Sequence, residues 1–355
     1  LAFDAVRAGS ARSALVLVAD CREGAPGSAL EANGGDAAAA FLVGAGDPLV
    51  ELVDSASESC EIVDVWRRPA DRFTHSWEER FVLAHGYLEP ARAAVRRLGE
   101  RGRIDPAACT HLVLSAPDRK AHESLARALR LSSSVADPLF GSVGACGCAH
   151  ALLQLAALAE RAEPGSTALL LAHGDGADAL ALRVGRRAEP RMASRLARRL
   201  PLASAEQYRR ARELIATEYA GNDFQGVSAT VHHRERAEDL ALTGQRCDCG
   251  LHQFPRGRVC GGCGAVDRFT AVRYAERTAQ LVTYTLDAFF PTPDPPTAVG
   301  VVQVEDGPRI YLQLTDLPAA EVKLGMALEF TFRRIHTVGG RPNYFWKCRP
   351  RGEAT

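Results

Sequence analysis

The chain has 355 residues, 46% of them hydrophobic, with 43 basic and 43 acidic side chains and a formal net charge of zero. That length is long for one domain and comfortable for two or three. The charge balance gives no electrostatic reason to expect nucleic acid or an anionic membrane as a partner, and no apolar run approaches the ~20 residues that span a bilayer.

In chain order, residues 1–8 read as the end of a helix; Leu1 stands inside it, so an upstream portion is expected, and no signal peptide is recognised. Residues 13–19 (Ser-Ala-Leu-Val-Leu-Val-Ala) are expected as a buried strand. A Gly- and Ser-rich loop follows, and residues 36–43 form a second strand ending at Gly44. A further strand is expected within residues 49–65. Helical periodicity runs from Trp77 to Arg101 with a break at Pro90. Residues 111–114 read as a strand, 118–131 as a helix, and 146–162 as a longer helix stopped by Pro164-Gly165. Residues 168–172 and 179–184 close the block as strands. Short apolar strands interleaved with helices predict a layered α/β domain over residues 1–185.

Residues 186–242 are rich in Arg and Glu, with helical propensity around residues 203–219, and read as a linking or covering segment. Two cysteine pairs then follow, Cys247-Asp-Cys249-Gly and Cys260-Gly-Gly-Cys263, around the loop Phe254-Pro255-Arg256-Gly257. Two close pairs, each followed by glycine, give a closed tetrahedral site for structural Zn²⁺, so residues 243–268 are predicted as a zinc ribbon with those four cysteines as ligands. The first pair is C-x-C, one residue tighter than the second. The alternatives are four reduced cysteines without metal, or His252 in place of one thiolate; His252 reads instead as a surface residue. The remaining cysteines (Cys21, Cys60, Cys109, Cys146, Cys148, Cys348) sit in apolar or small-residue contexts and read as reduced thiols, hence a cytoplasmic protein. Beyond the ribbon the period changes to two. Strands are expected at 279–286, 298–304, 309–314, 328–334 and 343–348, with turns at 305–308 and at Gly339-Gly340, which predicts a small all-β OB-fold barrel over residues 269–355. Binding of single-stranded nucleic acid is the rival use of such a barrel. The mixed charges of this segment disfavour it.

A ribbon of the form Arg-Cys…Cys-Gly…Phe-Pro…Cys…Cys-Gly followed by an OB-fold and Tyr344-Phe-Trp346 resembles an acyl-CoA-associated family found beside, or fused to, thiolase-like enzymes. The match covers residues 237–350. Residues 1–185 resemble the later part of the thiolase superfamily, nearest to hydroxymethylglutaryl-CoA synthase and ketoacyl synthase III. The resemblance lies in residues 14–20 followed by Gly34-Gly-Asp-Ala-Ala-Ala-Ala-Phe41, in the run Trp66-Arg-Arg…Ser-Trp-Glu-Glu-Arg-Phe…Gly86-Tyr87, and in residues 165–172 with Gly174-Asp-Gly-Ala-Asp178. The fold class is therefore a thiolase-like α/β layered domain, incomplete at its amino end, plus a zinc ribbon and an OB-fold barrel.

The resemblance implies a cysteine nucleophile at a helix N-terminus, about ten residues before Leu1, and no cysteine present takes that role. It also implies a His in His-x-Pro and an Asn in Gly-Asn-x-Gly; this chain has Ser115-Ala-Pro117 and Gly144-Ala145-Cys146-Gly147 there. Losing one such donor costs on the order of 10²–10³ in rate. Substitute catalytic candidates are His173, at a strand end before Gly174-Asp-Gly176, His150, on the helix after Ala145, and Ser115, although turn structure, packing and backbone capping explain each of the three as well. Cys146 and Cys148 as a redox pair is the poorer reading of a small-residue helix. Gly174, Gly176 and Pro117 are the implied substrate-binding positions. By resemblance the protein makes or breaks a carbon–carbon bond beside the carbonyl of a coenzyme A thioester, with the ribbon/OB module binding acyl-CoA or docking a partner. A homodimer or a complex with a thiolase-like partner is implied. A retro-aldol lyase and a non-catalytic CoA-binding scaffold are the alternatives.

Overall fold

The first helix, Ala2–Arg7 (α1), leads into an antiparallel pair, Ser13–Asp20 (β1) and Ala37–Gly44 (β2), whose register sets Leu15 against Leu42 and Leu17 against Ala40. Side chains of a strand alternate between faces. Here one face is half-buried while Leu15, Leu17 and Leu42 on the other are 62%, 68% and 74% exposed. The expectation of a buried first strand is thus corrected: the strand forms, but only one face of this two-stranded sheet is covered. The computed structural model describes residues 1–62, 65–215, 228–290, 292, 295–338 and 341–352 and divides into two units, Leu1–Arg198 and Arg199–Thr355.

The main sheet of the first unit is built from Val50–Ser59 (β3), His111–Leu114 (β4), Thr167–Gly174 (β5) and Gly176–Val184 (β6), in the order β3-β6-β5-β4, with the two-residue strand Ser134–Val135 outside β4. β4 runs parallel to β5, while β3 and β5 flank β6 antiparallel. Helices cover both faces. Leu112, Leu114, Leu169 and Leu171 pack against Glu89–Glu100 (α2) and Arg119–Leu129 (α3) through Ala91, Ala94, Leu98 and Leu125. The alternate residues Val113, Ala168 and Leu170 pack with Leu158 of His150–Arg161 (α4). Each fully buried leucine contributes about 1.5–3 kcal/mol, which fixes the register of the parallel pair.

Two sequence expectations change in detail. Pro90 does not break its helix. It sits in the first turn of α2, where its missing N–H costs nothing, after a π-helical segment, Val82–Leu88. Cys146 and Cys148 do not lie in the α-helix: Gly147–Ala149 is a 3₁₀ turn, and α4 begins at His150. Asp118 caps α3, its carboxylate accepting the Ala121 N–H at 2.7 Å.

In the second unit, Ala229–Ala241 (α5) precedes a small sheet in which Thr243–Cys247 (β7) is flanked by His252–Gln253 and by Phe269–Arg273 (β8). Thr278–Asp287 (β9), Thr297–Val304 (β10), Arg309–Gln313 (β11), Ala327–Val338 (β12) and Arg341–Pro350 (β13) form an antiparallel sheet in the order β11-β10-β9-β12-β13. A parallel bridge between Leu314 and Cys348 brings its ends together, giving a nearly closed barrel. Its core holds Leu281, Val302, Val304, Ile310, Leu312 and Leu328. The expected turn at Gly339-Gly340 and the end of the helical stretch at 216–219 lie outside the described residues. No described helix is long and apolar enough to cross a membrane.

Candidate functional site

Because β4 and β5 are parallel neighbours, their carboxyl ends open on one edge of the sheet, where open α/β sheets present groups to a ligand. Ser115 follows β4, and His173 is the penultimate residue of β5. The Ser115 Oγ lies 3.4 Å from His173 Nδ1. Ser115 is buried and His173 half-buried. The structure thus brings two of the three catalytic candidates into hydrogen-bonding range.

Two residues that sequence reasoning assigned no role complete the surroundings. Tyr87 donates its hydroxyl to the Ser115 carbonyl at 2.9 Å and stands edge-on to the His173 ring, with centroids 5.2 Å apart. Burial raises the Tyr87 pKa, so this hydroxyl stays a donor. Gln154 of α4 is buried and donates its side-chain amide to the Leu114 carbonyl at 3.0 Å. Backbone on both sides of the Ser115 side chain is therefore held from opposite directions. Tyr87 closes the motif that ends at Gly86-Tyr87, the one sequence signal that could have found it; a lone buried Gln offers none.

His150 has both ring nitrogens engaged by backbone. The Cys146 N–H donates to Nδ1 at 3.3 Å, and Nε2 lies 2.8 Å from the Pro138 carbonyl, which only accepts. Both contacts hold together in one form, the neutral tautomer with its proton on Nε2. Burial lowers the His150 pKa in the same direction. Phe140 stacks on the ring at 5.1 Å. This imidazole ties the Pro138 and Cys146 loops together.

Ala145 is bridged to Gly34 and donates its N–H to the Asn33 carbonyl at 2.7 Å. Pro117 is half-buried between Ala116 and the α3 cap. Gly174 and Gly176 flank the tight β5–β6 turn. Gly176 has φ +122°, and a Cβ there would run into the Glu58 carbonyl, while Gly174 faces open space. Cys21 and Cys148 are exposed. Cys146 is buried, and burial, with Asp36 and Asp20 nearby, pushes its thiol up to about 11, the opposite of what a nucleophile needs.

In the second unit, the Sγ atoms of Cys247, Cys249, Cys260 and Cys263 all lie within 4.8 Å of one another, with Cys247–Cys263 at 3.7 Å and Cys249–Cys260 at 3.6 Å. Four thiolates around a metal with ~2.3 Å bonds stand roughly 3.8 Å apart, so the donor set fits a tetrahedral ion. Backbone N–H groups of Cys263 and Gly262 draw the Cys260 thiol down to about 6. His252 lies outside the cluster, its Nδ1 2.9 Å from the Tyr274 hydroxyl.

Three comparisons bear on this architecture. Residues 262–333 match the family described as ChsH2, C-terminal OB-fold domain. A hydroxymethylglutaryl-CoA synthase of Methanopyrus kandleri is 30% identical over 174 residues, 48% of this chain and 49% of that protein, so the chain spans about half the length of this relative. A DUF35 domain-containing scaffold protein of Pyrococcus furiosus is 30% identical over 126 residues, 34% of this chain and 88% of that protein. Among solved structures, MvaS in complex with 3-hydroxy-3-methylglutaryl coenzyme A superposes with a TM-score of 0.50 and 22% identity, covering 59% of this chain and 62% of that one, which speaks to fold. The ribbon and OB-fold make this chain a member of the DUF35 family, joined in the same polypeptide to a region with a thiolase-like fold that is similar over 174 residues to a hydroxymethylglutaryl-CoA synthase.

Proposed function

We propose that the protein acts on a coenzyme A thioester, making or breaking the bond between Cα and Cβ by an aldol-type proton transfer. The observation that supports this most is the approach of Ser115 to His173 at the adjacent ends of β4 and β5. In the tautomer that donates Nδ1–H to the Ser115 oxygen, the Nε2 lone pair of His173 acts as the base. In the cleavage direction it takes the proton of a 3-hydroxyl group, the Cα–Cβ pair moves to the thioester as an enolate, and an aldehyde or ketone departs. The imidazolium then returns its proton to Cα. No acyl-cysteine is needed, which suits a chain with Ser115 where a Claisen enzyme carries His and Ala145 where it carries Asn.

The four-cysteine cluster would hold Zn²⁺ as a closed structural site that fixes the ribbon. The ribbon and OB-fold would bind acyl-CoA or dock a thiolase-like partner, and a homodimer or such a complex is the implied assembly. The name of the Pyrococcus relative favours a second reading, a non-catalytic CoA-binding scaffold.

The test is Cα hydrogen exchange. The full chain is incubated with acyl-CoAs in D₂O, and deuterium uptake is read by mass spectrometry, beside carbonyl release from 3-hydroxyacyl-CoAs. Uptake that disappears in His173→Ala supports the aldol reading. CoA binding with no uptake and no release leaves the scaffold reading. A covalent acyl adduct would replace both with acyl transfer.

A further inference from the structure

Arg92 of α2, Arg127 of α3 and Arg130, which ends α3, line one concavity of about 560 Å³ on the amino-terminal unit, together with Ser124 and Ala128. All three arginines are exposed, and none forms an ion pair with a described carboxylate. Their neighbours behave differently: Arg96, Arg97 and Arg101 pair with Glu100, Glu58 and Asp54. The groove thus gathers three guanidinium groups and no acid, an arrangement whose mutual repulsion an anion would relieve.

Arg130 adds a second observation. Its φ of 52° places it in the left-handed region that closes many helices, where glycine is the least costly residue. A long cationic side chain stands there instead and lines the groove. The depression is shallow and open to solvent, as a site for a charged headgroup can be, and the planar guanidinium fork matches phosphoryl oxygens bidentately.

We infer that this groove binds a phosphorylated small molecule through its phosphoryl oxygens. That chemistry has two sources, the nucleotide end of a CoA thioester or a free phosphorylated metabolite. The inference is independent of the reaction assigned to His173.

Isothermal titration of the full chain at low salt, with inorganic pyrophosphate and with CoA, tests it. Since the three side chains are exposed, Arg92→Ala, Arg127→Ala and Arg127→Glu should fold normally, and Arg96→Ala serves as a control outside the groove. Each groove variant is expected to weaken pyrophosphate about tenfold, the charge reversal more, and Arg96→Ala not at all. A parallel loss for CoA assigns the groove to the thioester's nucleotide; a loss for pyrophosphate alone assigns it to a free phosphorylated ligand. Affinities equal in the wild type and all groove variants, or no saturable pyrophosphate binding by the wild type, overturn the inference.

Discussion

Arg101 grips both carboxylate oxygens of Asp54, with its Nε 3.0 Å from one and 2.9 Å from the other. Asp54 is only 4% exposed, and the register shift between Leu52 and Asp54 in β3 accompanies its inward turn toward the end of α2. The Arg101 hydrogen bond, with help from the Ser55 N–H, holds the Asp54 carboxyl below its ordinary pKa. A depressed folded pKa gives stability that is present above the unfolded value of ~4 and is lost as pH falls through the folded value. Arg101→Ala should cost about 1 kcal/mol at pH 7, a modest figure because half of the arginine is exposed. Urea midpoints of both proteins should converge as pH falls below about 4; a gap of constant size would show that the pair does not carry the difference.

Gly176 sets a steric limit on the turn beside His173. With φ at +122° and the Glu58 carbonyl in the way of any Cβ, Gly176→Ala should lose at least about 2 kcal/mol in urea melts. Gly174→Ala, which meets nothing within 4 Å, should be far milder. Equal losses would contradict the turn geometry described above.

For the proposed chemistry, His173→Ala should lower the turnover number by about 10²–10⁴. Ser115→Ala removes one neutral hydrogen bond, about 1 kcal/mol or roughly fivefold in rate, with KM unchanged. Steady-state kinetics on the 3-hydroxyacyl-CoA that gives carbonyl release separates the two. A Ser115 variant that changes KM alone would make this hydroxyl a substrate contact.

The cysteine cluster makes a prediction about metal. Purified protein should carry one equivalent of Zn²⁺ by elemental analysis, and Cys260→Ser should lose it. Because metal affinity in such sites is folding free energy, the variant should also make the segment between Cys247 and Cys263 a target for limited proteolysis. Full protection without metal would mean that the ribbon is held by its β7–β8 pairing alone.

Much of this architecture was legible because the signals were local. Period two marked all five barrel strands, and the cysteine spacing marked the ribbon, since ligands a few residues apart must converge whatever surrounds them. The pairing of Ser115 with His173 was not legible, because it joins residues 58 positions apart through the register of two parallel strands. The exposure of Leu15 and Leu17 was hidden for a related reason. An apolar run shows that a strand wants burial, but whether a second layer covers it depends on what else is assembled there. Pro90 misled because proline reads alike in the middle of a helix, where it breaks, and in the first turn, where it fits.

The π-helical segment Val82–Leu88 gives Tyr87 its place, and with it a phase. A π-turn accommodates a residue that an α-helix of the same span would not. Deleting one residue there would let the segment relax to α geometry and rotate everything before it by ~100° relative to α2. Tyr87 lies near the end of that stretch, so a deletion between it and α2 would turn its hydroxyl away from the Ser115 carbonyl, whereas one before it would keep the anchor and swing only the residues ahead. The spacing between Tyr87 and α2 thus matters to the site as much as the tyrosine itself.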